Sequence, residues 1–214
     1  MDIGRRLNDL YQRLFARFGP QGWWPGETPL ETAVGAMLTQ NTNWANASRA
    51  IANLKEAGLL SLEGLRGLPP GQLAQLIRPA GYYNLKARRL GALLDFLAQD
   101  LGGDPAALAA LPLREARRAL LGVKGVGPET ADSILLYAAG LPVFVVDAYT
   151  FRILGRHDLA PEGMTYDEMQ ARFMDHLPRE AGLFNEYHAL LVRLGKEFCK
   201  KGSPRCEECP ALGW

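Results

Sequence analysis

The chain has 214 residues and a formal net charge of +1, with 22% charged residues. That length suffices for one large domain or two small ones, and the near-balance of charge excludes a wholly basic nucleic-acid coat, though not a local basic face. No apolar run reaches the roughly 18 residues that a membrane span needs. The N-terminal MDIGRRLNDLYQRL has no apolar signal core, so the expectation is a soluble cytosolic protein. All three cysteines fall in the last 16 residues, which is not the pattern of a secreted disulfide framework.

Leu7, Leu10, Tyr11, Leu14 and Phe15 recur at helical spacing and predict an amphipathic helix over Ile3–Phe18, ended by Gly19-Pro20. Trp23-Trp24-Pro25-Gly26 then places two indoles in a Pro/Gly-rich loop, where they either cap a core or face a ligand. Thr28-Pro29-Leu30-Glu31 predicts a capped helix start with a capping box, continuing to Leu38. The polar cluster Thr39-Gln40-Asn41-Thr42 follows, and a helix beyond Trp44 runs to Ala57 and stops at Gly58. Short helices are expected around 61–68 and 71–77, then a turn over 79–84. A long helix opens at Lys86, Arg88 and Arg89 and ends before Gly102-Gly103. Asp104-Pro105 starts a short helix, and Pro112 starts the next.

That next helix breaks at Gly125-Val126-Gly127, restarts at Pro128 and stops at Gly140. Pro128 supplies no N–H where none is needed, and Glu129 sits favourably in the first turn. Backbone N–H groups left free at such a restart, aided by the helix dipole, make a seat for a phosphate. Glycines of this kind serve a plain interhelical turn equally well. The apolar run Val143-Phe144-Val145-Val146 then delivers Asp147 to the start of a helix reaching Leu154. Asp147 reads as an ordinary N-cap or as a functional carboxylate. Thr165-x-x-Glu168 signals another capped helix, to about Leu177, and Pro178 begins a last one reaching Phe198. No sustained alternating pattern, repeat or low-complexity tract occurs, so the fold class reads as all-α.

GVGPETA followed by VVDAYTFR resembles the helix-hairpin-helix and Gly/Pro-Asp module of the endonuclease III superfamily of DNA glycosylases. The resemblance implies two helical lobes, residues 1–28 with 141–214 and residues 29–140, flanking a DNA-binding cleft. It implies that Lys124, Gly125, Val126 and Gly127 grip a DNA phosphate and that Asp147 is catalytic. Members with lyase activity carry a Lys immediately before Thr-Ala; here that position is Glu129, which offers no Schiff-base amine. The chain therefore resembles a monofunctional glycosylase that leaves an abasic site.

Within that superfamily, Trp23-Trp24-Pro25, the run Val34 to Thr42, and Arg78 to Ala87 resemble 3-methyladenine DNA glycosylase III. This implies a pocket in which Trp24, Pro25 and Trp44 hold a flipped base, with Lys196 lining it. An electron-poor, often cationic alkylated purine suits stacking and cation–π attraction to indole. Gln40, with Asn41 beside it, is implied to contact DNA, the residue at Gln40 filling the gap in the duplex. A polar helix end satisfying its own carbonyls is the plainer reading of both. Lys196 equally fits a solvated helix-end lysine.

Cys199-x6-Cys206-x2-Cys209 matches the first three ligands of the superfamily's C-terminal [4Fe–4S] loop, and the fourth is missing by one residue. Such clusters ordinarily take four thiolates. A truncated chain, a three-Cys site, a non-protein ligand, or zinc with a ligand from elsewhere are the readings open here. The function expected is removal of alkylated purines from double-stranded DNA by a monomer in the cytoplasm, at the nucleoid. The alternatives are an endonuclease III-like glycosylase for oxidised or mismatched pyrimidines and a non-catalytic binder of damaged DNA.

Overall fold

A computed structural model describes residues 2–214. Among them there is no strand; the elements are α1 Ile3–Phe18, α2 Pro29–Leu38, α3 Trp44–Glu56, α4 Leu62–Arg66, α5 Pro70–Leu76, α6 Tyr83–Asp100, α7 Leu113–Leu121, α8 Pro128–Ser133, α9 Ala148–Arg156, α10 Tyr166–Met174 and α11 Ala181–Glu197. Short 3₁₀ turns cover Arg78–Ala80, Pro105–Ala110 and Cys206–Glu208, and α8 continues into a π-helical turn over Ile134–Ala138. No helix among the described residues is long and apolar enough to cross a membrane.

Two compact units divide the chain, one of residues 1–23 and 142–214 and the other of residues 24–141. In the second, α2 is the central element. Every residue from Glu31 to Leu38 is buried, and α3, α6 and α8 pack on it. Thr28 caps α2 by accepting from Glu31 N at 3.1 Å. The capping box expected there closes differently: the Glu31 carboxylate accepts from Glu27 N at 3.1 Å and pairs with Lys55 at 2.9 Å. A buried carboxylate takes the nearby cation, because an unpaired charge there is costly.

In the first unit α11 is the spine. Tyr187 on α11 is fully buried and donates to Leu7 O on α1 at 2.7 Å. Phe144 stacks on Phe173 of α10 with centroids 3.7 Å apart and meets Phe184 and Tyr187 edge-on. Val143 to Val146 is buried throughout and carries no ladder. Side chains take three of its backbone groups: Phe144 O accepts from Gln170 Nε2 at 2.7 Å, Val146 N donates to Tyr166 Oη at 3.3 Å, and Phe144 N points at Met174 Sδ at 3.3 Å.

Two helix starts differ from the sequence expectation. α6 begins at Tyr83, three residues before Lys86, after Tyr82 in a left-handed conformation. α11 begins at Ala181 rather than Pro178, because Glu180 N turns back to Pro178 O at 2.9 Å before the helix opens. Truncating the ring at the centre of the first unit should be costly. Phe144→Ala is expected to lower unfolding free energy by about 3–5 kcal/mol, read from urea midpoints at unchanged slope.

Candidate active site

The hairpin glycines have unequal roles. Gly125 has φ +92, and a Cβ there would fall 2.4 Å from Arg89 Cγ, so both backbone and space require glycine. Gly127 is the extended N-cap of α8, with nothing near its missing Cβ. Lys124 is exposed beside them, and Val126 is buried and anchors the turn from below.

Gln40 is tied into this hairpin. Its Nε2 donates to Gly125 O at 3.0 Å and to Thr130 Oγ1 at 2.9 Å, while its Oε1 accepts from Arg89 Nη1 at 2.7 Å. Gln40 thus joins the end of α2 to the hairpin and to α6. Asn41, the next residue, is exposed with φ +51. Behind them Lys86, only 2% exposed, donates to Leu38 O and Ala80 O at 2.8 Å each. The ammonium of Lys86 thereby locks the carbonyl end of α2 to the turn before α6. Arg89, Thr130 and Lys86 had no site role in the sequence reading, because their partners lie 48 to 90 residues away in the chain and no local pattern marks them.

The aromatic residues cluster. Trp24 meets Trp44 at 4.9 Å with planes 79° apart, and Tyr137 lies 5.2 Å from Trp24 at 31°. Gly35 makes room: a Cβ there would sit 3.1 Å from Trp24 Cζ2. The two indoles therefore touch edge to face, and stacking a base between them requires the rings to part and turn parallel. Pro25 beside them is exposed. Tyr137 was missed from sequence; it sits in the π turn after α8, a feature enriched at functional sites.

Asp147 belongs to the first unit and makes its contacts there. Its Oδ1 accepts from Thr150 N at 2.8 Å and Thr150 Oγ1 at 3.0 Å, and Thr150 returns the bond to Asp147 N, forming a capping box. Its Oδ2 faces His188 Nε2 at 3.6 Å. Desolvation is the largest influence on this carboxyl and pushes it up. His188 opposite Oδ2, followed by the two Thr150 bonds, outweighs it and holds the carboxyl below its ordinary value. Asp147 is accordingly both the cap and an ionised, nearly buried carboxylate. Lys196 is exposed in the last turn of α11, where the helix dipole favours a cation.

Cys199, Cys206 and Cys209 line one cavity of about 110 Å³ with Ile153, Leu194 and Phe198. Arg156 donates to Cys199 Sγ at 3.1 Å. Burial raises the Cys209 thiol above its ordinary value, a bond from the Ala211 backbone lowers it, and the neighbouring Cys199 and Cys206 raise it further. Among the described residues no group of three or more His, Cys, Asp or Glu stands ready to hold a metal ion. Three thiols line one cavity, the donor type that an iron–sulfur cluster takes, and the sequence has no fourth Cys.

Burial lowers the Lys86 amine to about 8, helped by the charge of Arg89. The unfolded value is near 10.4, so the unfolded chain binds more protons between those limits and stability rises with pH across them. The cost of charging Lys86 is fully present below about pH 8. Wild type should therefore gain stability relative to Lys86→Met between about pH 7.5 and pH 9.5 in urea titrations. A constant difference would contradict the buried-ammonium account.

Residues 34–179 match the family of HhH-GPD superfamily base excision DNA repair proteins. A Methanocaldococcus jannaschii protein, MJ1434, whose name assigns it provisionally to the DNA repair glycosylases, is 45% identical over 94% of this chain and 91% of its own. Endonuclease III of Bacillus subtilis is 28% identical over 86% of this chain and 79% of its own. Among solved structures, 3-methyladenine DNA glycosylase (MagIII) of H. pylori bound to 1,N6-ethenoadenine has a TM-score of 0.79 at 29% identity, covering 92% of this chain and 98% of that one. An endonuclease III–DNA covalent intermediate superposes with a TM-score of 0.83 at 23% identity, covering 98% and 94%, which shows the shared fold. With its Gly125 hairpin and its Asp147 cap inside or beside the matched span, the chain belongs to the HhH-GPD superfamily of base excision DNA repair proteins and is a DNA glycosylase of the endonuclease III superfamily.

Proposed function

We propose that this glycosylase is monofunctional and removes alkylated purines, 3-methyladenine foremost, from double-stranded DNA. The observation that carries the reading is the Asp147 carboxylate, held ionised by Thr150 and His188 at the start of α9. Departure of the base takes the C1′–N electron pair with it and leaves positive charge on the sugar. A fixed anion stabilises that charge or draws the proton from a water attacking C1′. An alkylated purine leaves readily, so a strong general acid is dispensable.

Three further features support the finer reading. Glu129, exposed in the first turn of α8, stands where lyases of this superfamily carry an amine nucleophile. Trp24, Tyr137 and Trp44 supply π faces suited to a cationic base. MagIII resembles the chain over nearly its whole length. In this reading Trp24, Pro25, Trp44 and Lys196 form the base pocket. Lys124, Gly125, Val126 and Gly127 hold a phosphate, and Asn41 contacts DNA from a frame that Gln40 supplies. Phosphate contacts of this kind set register and read no sequence.

Cys199, Cys206 and Cys209 would hold a [4Fe–4S] cluster at three corners, the fourth iron taking another donor. Such a cluster, when bound, would brace the C-terminal loop that presents Lys200, Lys201 and Arg205. A monomer acting in the cytoplasm, at the nucleoid, completes the reading.

Asp147→Asn tests it. With methylated duplex DNA under single-turnover conditions, wild type is expected to release free 3-methyladenine and to give strand breaks only after alkali. The variant should lose roughly 10²–10⁴-fold in rate while binding the same DNA. Absent release by both proteins with tight binding would overturn the alkylated-purine reading in favour of another lesion class or a non-catalytic binder.

A further inference from the structure

A helix cap needs one carboxylate oxygen, and Thr150 takes Oδ1 of Asp147 through both its backbone and its hydroxyl. Capping does not account for the buried imidazole opposite Oδ2. His188 is 5% exposed on α11, and its ring stands edge-on to Phe144 at 6.5 Å. Its Nε2 lies 3.6 Å from Asp147 Oδ2, just beyond a formed hydrogen bond and within reach of one once substrate tightens the site. The spacing is set by a helix pair rather than by loose side chains. A Cβ at Gly195 on α11 would fall 2.2 Å from Tyr149 Cδ1 on α9. Arg152 on α9 also donates to Cys199 O at 2.7 Å and to Gly195 O at 3.2 Å.

We propose that His188 is a positioning residue for Asp147: its ring fixes the Oδ2 half of the carboxylate, so that the charge faces the sugar in one orientation. This rests on the glycosylase reading above. A ring facing Oδ2 from a second helix orients the carboxylate that Thr150 holds by Oδ1, and a charge held in one orientation stabilises a developing cation without reorganisation. The other titratable groups around the pair are already engaged. Tyr166 of α10 accepts from Val146 N, Tyr187 of α11 donates to Leu7 O, and Tyr11 of α1 packs edge-on to Tyr187. Arg152 is held by the two carbonyls named above.

The test follows single-turnover base release for wild type, His188→Gln and His188→Ala. Binding to a duplex carrying an uncleavable abasic analogue is measured beside it. His188→Ala should lose roughly 10²-fold in rate and keep DNA binding, as misplacement of a catalytic group does. His188→Gln retains a donor and should recover part of that loss, which a merely structural filling of the site would not require. Should His188→Ala fail to fold, the glutamine variant carries the comparison alone. Wild-type rates in both variants would overturn the proposal and leave the glycosylase reading standing. A readout independent of turnover is the NMR signal of the His188 ring. Asp147→Asn should displace it, because the carboxylate opposite the ring is gone. An identical signal in both proteins would overturn the pairing even if the enzyme released no base.

Discussion

The structure of the first unit depends on keeping one carboxylate charged where water is scarce. Burial alone drives Asp147 toward its neutral form. The surrounding elements answer that cost. Val143 to Val146 brings the residue in along a buried path, with Gln170 bonded to Phe144 O and Tyr166 to Val146 N. The first turn of α9 gives it two bonds from Thr150, and α11 sets His188 against its other oxygen. The aromatic packing of Phe144, Phe173 and Tyr187 then fixes the segment on which the carboxylate is carried.

The second unit is built on a related constraint, that polar groups drawn out of water must find partners. Its polar groups spend their bonds on one another. Gln40 ties the end of α2 to the hairpin and to Arg89, and Lys86 ties the same helix end to the turn before α6. Gly125 lets the hairpin backbone lie against the Arg89 stem, where any side chain would collide. The amides ahead of α8 are thereby held still, which is what a phosphate seat requires. Asn41 projects from this frame, in a left-handed conformation that asparagine tolerates better than most residues.

Much of this was legible from the sequence because it is local. Helical spacing gave the all-α class, and Thr28, Thr165 and Asp147 announced their caps within three residues of the amides they serve. The hairpin glycines and the downstream aspartate lie close enough in the chain to be read as one motif. What was hidden depends on distance in sequence. His188 looks like one more residue on the buried side of α11, since nothing near it in the chain points to Asp147, 41 positions earlier. The π turn that carries Tyr137 to Trp24 has no residue signature. Gln40 was expected to reach into the duplex on the strength of resemblance, and its three bonds into its own unit appear only in three dimensions. The start of α11 moved from Pro178 to Ala181 because a local turn won over the usual preference for proline at a first helical position.

The central claim is that a stacking pocket and one fixed carboxylate, without an amine nucleophile, make this chain a monofunctional enzyme for alkylated purines. The most direct measurement compares single-turnover release from two duplexes, one carrying 3-methyladenine and one an oxidised pyrimidine, each run with and without borohydride. The account predicts fast release of the purine, little or none of the pyrimidine, and no protein–DNA adduct trapped by borohydride. Preferential release of the pyrimidine with a trapped adduct would contradict it and reveal an amine acting on the sugar.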